Sequence, residues 1–570
     1  MDRDLFGSFF NRAAPAQYPE IKVHSRHDHI APQDIGFVTR FGNLIVPADF
    51  SAQNDDDNPS PTRSPPHNTD PSDDSRYTAV CRGYLHVTKS HTIWFTYIQQ
   101  HFIRRNLPLP GLDNRHLEVL SAGELEGLAI KAEKYRRNWS STRPVPTRRS
   151  QFTAVPESRI ISLKFLSRRG EHWLLSLSMT RNSGLRAFTF QCWDLGTSPP
   201  TCIARRILHH FGGLAYNKML TGRAVVAVMT PECVGFFPSC CLAALTCRGV
   251  PLRICLIDID PVTKIRNTSG GGDDGGGSGG RGVPSDMARR SPAQACVNVA
   301  TLEDRATGNM VLIGDLVLTQ DDVGRTFLYH FQAPQNRLKL VHSERSLQPE
   351  RILDVLVDRD WIIIARTTAV EIYSLPPSIN RSMEIEPIGV HKWQWKVDSI
   401  SLARPVNSPN PTRIAPVHLV IRYGSIHPWP VNLIHRFVLN INDAFDPSHG
   451  ASRLNFPYVL PPLNTQMIGS PIRLMSTYDM AVGSHGTIIY TDSHTETYFN
   501  QSDFGQRLAG TRIDEQPGDG TEGPIGTMVG ESSVYEITER DEWTRIALQE
   551  EEGRIAIGHV DGRITVLDYA

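Results

Sequence analysis

The last eighteen residues, Gly553 to Ala570 (GRIAIGHVDGRITVLDYA), constrain the fold more than any other stretch, because they read as a β-hairpin with an imperfect copy upstream. Ile555 and Ile557 alternate with small or polar neighbours, and Ile564, Val566 and Asp568 alternate back. Between them, Asp561-Gly562 supplies the positive φ angles of a tight type I′ turn. The copy spans Met480 to Asp492 (MAVGSHGTIIYTD), where Ala481-Val482-Gly483 matches Ala556-Ile557-Gly558 and Gly486 stands in for Gly562, one residue closer. Recurring hairpins imply a β-propeller.

The rest of the chain after about Ser158 agrees. Its apolar runs are of strand length and rich in β-formers: Ile160 to Leu166, Trp173 to Met179, Arg186 to Trp193, Leu252 to Ile259, Met310 to Leu318, Val417 to Arg422 and Ser533 to Ile537 are examples. Trp361 to Leu375 (WIIIARTTAVEIYSL) reads as strand, short turn, strand. No long helix separates these runs, which argues against a parallel α/β sheet and for a closed all-β architecture. About 410 residues at roughly 40 to 60 per four-stranded blade predict six to eight blades, with seven as the central value. The fold expected is therefore mainly β, a multi-blade propeller occupying 151–570.

Two stretches interrupt it as solvent loops, 266–293 around the glycine-rich Asn267 to Gly282 and 514–530 around the acidic Gln516 to Gly526. Residues 1–76 are expected to be irregular. Ser51 to Ser75 has no aromatic residue and is dominated by Pro, Asp and Ser, so it cannot bury enough apolar surface to offset its ordering entropy and is expected to be disordered.

Residues 77–150 switch to helical spacing. Val80, Tyr84 and Val87 form one stripe flanked by Cys81 and Leu85, which predicts a helix over Thr78 to Val87. Ser90 is a candidate N-cap for a second helix with Trp94, Tyr97, Ile98 and Phe102 facing inward. Ser121 and Glu124 match a capping box for a third, which carries Leu125, Leu128, Ala132, Tyr135 and Trp139 on one side. Pro144 and Pro146 then close the region.

Composition narrows the partners. Lys and Arg number 59 against 60 Asp and Glu, so no global field draws the chain to nucleic acid or an anionic bilayer, and neither partner is expected. The paired arginines, such as Arg205-Arg206, are isolated and read as solvated surface. The N-terminus lacks a secretory h-region, and the apolar region Ala224 to Ile259 is broken by Pro231, Glu232, Pro238, Arg248 and Arg253 short of a membrane span. Nine cysteines show no short-spaced framework, which fits free thiols in an intracellular, reducing compartment.

The stretch Tyr77 to Trp94 (YTAVCRGYLHVTKSHTIW) resembles the second half of an F-box. With the following Pro108-Leu109-Pro110, Glu124-Leu125-Glu126 and Asn138-Trp139, it is similar to a family of fungal F-box proteins carrying a C-terminal WD-like propeller. That resemblance implies that Val80, Cys81, Leu85 and Trp94 form a small helical core or adaptor contact. It also implies that the propeller receives a target protein and that a Skp-type adaptor of a cullin-RING ubiquitin ligase is a partner. The opening Leu-Pro helix that docks the adaptor has no counterpart in residues 21–50. A Trp ending an amphipathic helix is equally at home in any helical core.

Other constellations lack chemistry-bearing geometry. His24, His27 and His29 sit in Pro-flanked irregular sequence, Cys233, Cys240, Cys241 and Cys247 lack zinc-site spacing, and the glycine run at 270–280 lacks the Lys-Ser/Thr end of a phosphate loop. The pairs Asp258/Asp260 and Asp358/Asp360 read as turn residues, with a glycosidase-type pair as the alternative. No catalytic residue, metal or cofactor is expected. The function expected is a non-catalytic interaction adaptor, the alternatives being a propeller hydrolase working in its central channel, marked by three or more carboxylates or histidines there, or a structural propeller without ligase recruitment.

Overall fold

The computed structural model describes residues 39–41, 44–46 and most of 90–570; the longest stretches outside it are 1–38, 47–89, 232–251, 265–286, 405–413, 494–504 and 513–526. The chain forms two compact units, Met1–Arg76 and Tyr77–Ala570. In the first, Thr39–Phe41 and Leu44–Val46 pair antiparallel with Thr39 opposite Val46. The run expected to be disordered, Ser51 to Ser75, and the helix expected over Thr78 to Val87 lie outside the described residues.

The second unit is a seven-bladed β-propeller, mostly β as its period-two patterning requires. Blades 1 to 6 occupy 159–208, 213–304, 306–340, 352–392, 397–471 and 480–538, each with four antiparallel strands paired in chain order. Blade 7 is assembled from both ends of the unit: Trp543–Gln549, Arg554–His559 and Arg563–Asp568 are joined by Arg148–Thr153, with Arg148 opposite Asp568 and Thr153 opposite Arg563. The terminal hairpin is thus the clasp of the ring, and closure removes the edge that an open array would expose.

Seven apolar clusters seal the seven junctions between blades. Between blades 7 and 1, for example, Ile160, Leu163, Phe165 and Leu174 pack on Ala547, Ala556, Ile564 and Val566. Each large aliphatic buried this way contributes on the order of 1.5–3 kcal/mol. The first strands of the blades are innermost and wall a central channel. Two junctions are also stapled at the rim. Met383–Ile385, from the excursion of blade 4, pairs in parallel with the outer strand of blade 3, and Thr527–Val529, from that of blade 6, pairs likewise with blade 5.

Several sequence readings change in detail. The run Met310 to Leu318 is two strands, Ala306–Ile313 and Leu316–Asp321, because the chain turns at Gly314 and Asp315. Thr527–Val529 lies within the segment read as loop. The two matching hairpins are not equivalent: Met480–Val482 and Thr487–Ser493 are the first two strands of blade 6, whereas Arg554–His559 and Arg563–Asp568 are the second and third of blade 7. Their likeness reflects a shared hairpin grammar, not the blade repeat.

The closing turn also differs from type I′. Only Gly562 is left-handed, at φ +86°, and Asp561 is not among the residues with positive φ. Its carboxylate accepts the Arg563 backbone N–H at 3.1 Å and pairs with Arg563 Nε at 2.5 Å, which holds a longer loop with a single glycine at its end. A Cβ at Gly562 would lie 2.0 Å from the Val155 carbonyl oxygen. Gly562→Ala is therefore expected to lower stability by about 1–2 kcal/mol from backbone strain alone, with the clash adding to it, measured by chemical denaturation. Parental stability in that variant would refute this account of the turn.

Candidate functional site

Two helices precede the ring: α1 (His91–Ile98), continued by a wider π turn over Gln99–Ile103, and α2 (Ala122–Trp139). The capping box of α2 is formed, with Ser121 Oγ accepting from the Glu124 N–H and Glu124 Oε2 accepting from the Ser121 N–H at 2.8 Å. Ser90 sits at the N-cap of α1, but its side chain makes no capping bond. Ile98, Leu117, Leu120, Leu125 and Leu128 form the apolar centre of the pair. Trp94, the expected F-box core residue among those described, is half-buried against this cluster and meets Tyr97 edge-on at 6.0 Å. Val80, Cys81 and Leu85 lie outside the described residues.

The same heptad-like stripe that packs α2 on α1 continues onto the propeller, because Leu125, Leu128, Ala132, Tyr135 and Trp139 fall on one face. Its last two members enter the junction of blades 6 and 7. Trp139 is 6 % exposed and packs its ring against Tyr135, Tyr535 and Tyr569 at centroid distances of 5.1, 4.9 and 5.2 Å. Its Nε1–H donates to Thr487 Oγ1 at 3.1 Å, and the Thr487 hydroxyl donates in turn to Glu550. Glu550, 2 % exposed, also accepts from the His485 N–H at 2.8 Å, and its backbone carbonyl takes the Tyr135 hydroxyl at 3.3 Å. Burial pushes the Glu550 carboxyl above the usual range, against the opposing pull of the Thr487 and His485 donors.

Two backbone features let the helices approach so closely. Gly553 is left-handed at φ +65°, and a Cβ there would lie 2.6 Å from Tyr135. Asn106, left-handed at φ 50°, ends the π turn and offers its carbonyl to His485 Nδ1 at 3.2 Å and Arg512 at 3.4 Å. The sequence Glu550-Glu551-Glu552 looks like a solvated acidic turn; its first member is buried by Gly483, His485 and Thr487 of blade 6, with Tyr135 of α2 on its backbone carbonyl.

The channel wall carries a second group. Tyr216, on the inner strand of blade 2, donates to Ser162 Oγ on the inner strand of blade 1 at 2.9 Å. Lys218 crosses to blade 4, where its ammonium touches the Asp354 carboxylate and the Val355 carbonyl at 2.7 Å. Arg545, from the inner strand of blade 7, donates to the carbonyls of Ile161 and Thr544 at 2.8 and 3.1 Å. Burial raises the carboxyl pKa of Asp479, which accepts from the Ile546 N–H at 2.9 Å.

The remaining sequence candidates are placed as follows. Asp358 is buried, bound to Arg404 at 2.8 Å and to the Tyr458 hydroxyl at 3.0 Å, so it joins blades 4 and 5. Asp258 caps the Ile259 N–H at 2.9 Å. Cys192, Cys202, Cys255 and Cys296 lie on blades 1 and 2 and form no disulfide. His24, His27, His29, Cys233, Cys240, Cys241 and Cys247 lie outside the described residues. Among the described residues no three His, Cys, Asp or Glu side chains are grouped to hold a metal ion, and no helix is long and apolar enough to cross a membrane. No protein-family model matches the chain, and no curated protein matches it.

Proposed function

We propose that this chain is a non-catalytic interaction scaffold whose propeller captures a protein partner while the helical pair couples that partner to other machinery. The observation that supports the reading most is the Trp139 anchorage: a helical segment fixed by buried aromatic contacts and a hydrogen-bond chain holds one orientation on the ring, as a recruiter needs. A propeller also offers several loop faces around a rigid frame, which suits protein capture.

In its finer form, the proposal makes the chain a substrate receptor that reaches a Skp-type adaptor of a ubiquitin ligase through residues 77–94. Co-precipitation of the full chain with that adaptor is expected to succeed and to weaken at least tenfold on Cys81→Asp, which would place a charge in the proposed contact. An empty pull-down with the full chain would remove the ligase half and leave the scaffold reading to be tested by proximity labelling.

A further inference from the structure

We propose that the inner wall shared by blades 7, 1 and 2 binds a small phosphate-bearing anion, with Lys164, Arg545 and Lys218 as its cations and the Ser162 hydroxyl as a donor. The placement follows from strand periodicity. Tyr216 and Ser162 meet across adjacent inner strands, and two residues beyond each stands a lysine, Lys218 and Lys164. Residues two apart on a strand share a face, so Lys164 lies one rung further along the side that holds Ser162. Arg545 binds the carbonyl of Ile161, next to Ser162, which brings a third cation to the same place.

Charges on this wall are incompletely matched. Lys218 has Asp354. Arg545 spends its described hydrogen bonds on neutral carbonyls, with the buried Asp479 carboxyl as an opposing charge at longer range, and Lys164 has no hydrogen-bond or ion-pair partner among the described residues. Glu551 attracts Lys164 only at longer range, its carboxylate being taken by the Ser484 hydroxyl. Lys164 remains exposed to water, yet the surrounding protein desolvates it and holds its ammonium below the usual lysine range. Lys164 and Arg545, two cations without a contact anion in a partly desolvated channel, gain most from an oxyanion with more than one negative charge, and lysine serves phosphate as a point charge. Because Ser162 already accepts the Tyr216 proton, its own hydrogen is available to a ligand oxygen.

Titration calorimetry of the full chain with inorganic phosphate, against chloride at matched ionic strength, is expected to show saturable binding. Lys164→Ala should weaken it by about 10- to 100-fold, the effect of losing one charge-assisted contact, whereas Lys164→Arg should largely retain it. Since Lys164 is exposed, the alanine variant should melt with the parent. Independently of any variant, phosphate should slow acylation of the Lys164 amine in the native chain. The absence of saturable binding, binding that survives Lys164→Ala, or acylation of Lys164 that is indifferent to phosphate would overturn the proposal.

Discussion

Trp139→Ala is expected to lower the unfolding free energy by about 3–5 kcal/mol and to loosen the helical pair from the ring. The indole contacts three tyrosines at the junction of blades 6 and 7, so its removal leaves a cavity bounded by rings that cannot collapse independently. It also takes the Nε1–H donor from Thr487, whose hydroxyl is committed to the buried Glu550 carboxylate. Chemical denaturation gives the loss, and hydrogen exchange gives its location: amides of α2 should exchange faster than those of blades 2 and 3. Trp139→Phe should recover the larger part, since the apolar contacts outweigh one hydrogen bond worth about 1 kcal/mol. An alanine variant as stable as the parent would show that α2 rests on the ring without bearing on its stability.

Arg366→Leu is expected to cost a similar amount, about 3–5 kcal/mol, for a different reason. Arg366 and Glu371 both have fully buried side chains in blade 4, joined at 2.7 Å, with Thr326 Oγ1 taking a second guanidinium N–H at 2.9 Å. Glu371 also accepts from the Tyr373 hydroxyl at 2.7 Å and contacts His342 Nδ1. Burial alone would raise the Glu371 carboxyl, but His342 and Arg366 more than reverse this and bring it from 4.5 down to about 2. Removing Arg366 leaves the buried Glu371 carboxylate with only Tyr373 and His342 against its charge; replacing both residues by leucine should be far milder than either single change.

The sign of the pH effect follows from the lowered carboxyl. Its contribution, on the order of 3 kcal/mol at about 1.4 kcal/mol per pKa unit, is complete above the unfolded-state pKa and disappears as pH falls from about 4.5 towards 2. The stability difference between the parent and Glu371→Gln should therefore be constant near neutrality and shrink across that acid window. A difference that stays flat down to pH about 2 would contradict the assigned ion network.

How much of this was legible beforehand depended on the range of the interaction. Strand runs such as Leu252–Ile259 and the hairpin of Trp361–Arg366 with Ala369–Ser374 follow from alternation within a few residues, as does the α2 capping box. The Arg366–Glu371 pair had a readable signal: opposite charges five apart, across a two-residue turn, inside an otherwise apolar hairpin. Arg545 and Lys164 had none, since each is one polar residue on an ordinary alternating strand.

Local sequence determined that this chain builds antiparallel hairpins in blade-sized groups, because side-chain alternation and turn residues act over neighbouring positions alone. That Arg148–Thr153 clasps Arg563–Asp568, that Glu550 is buried while the glutamates beside it are less so, and that Arg545 of blade 7 and Tyr216 of blade 2 both reach the inner strand of blade 1 were decided only by the closed ring. Those contacts join residues up to 420 positions apart, as Arg148 and Asp568 are, where the geometry of closure, and not any local preference, sets which groups meet.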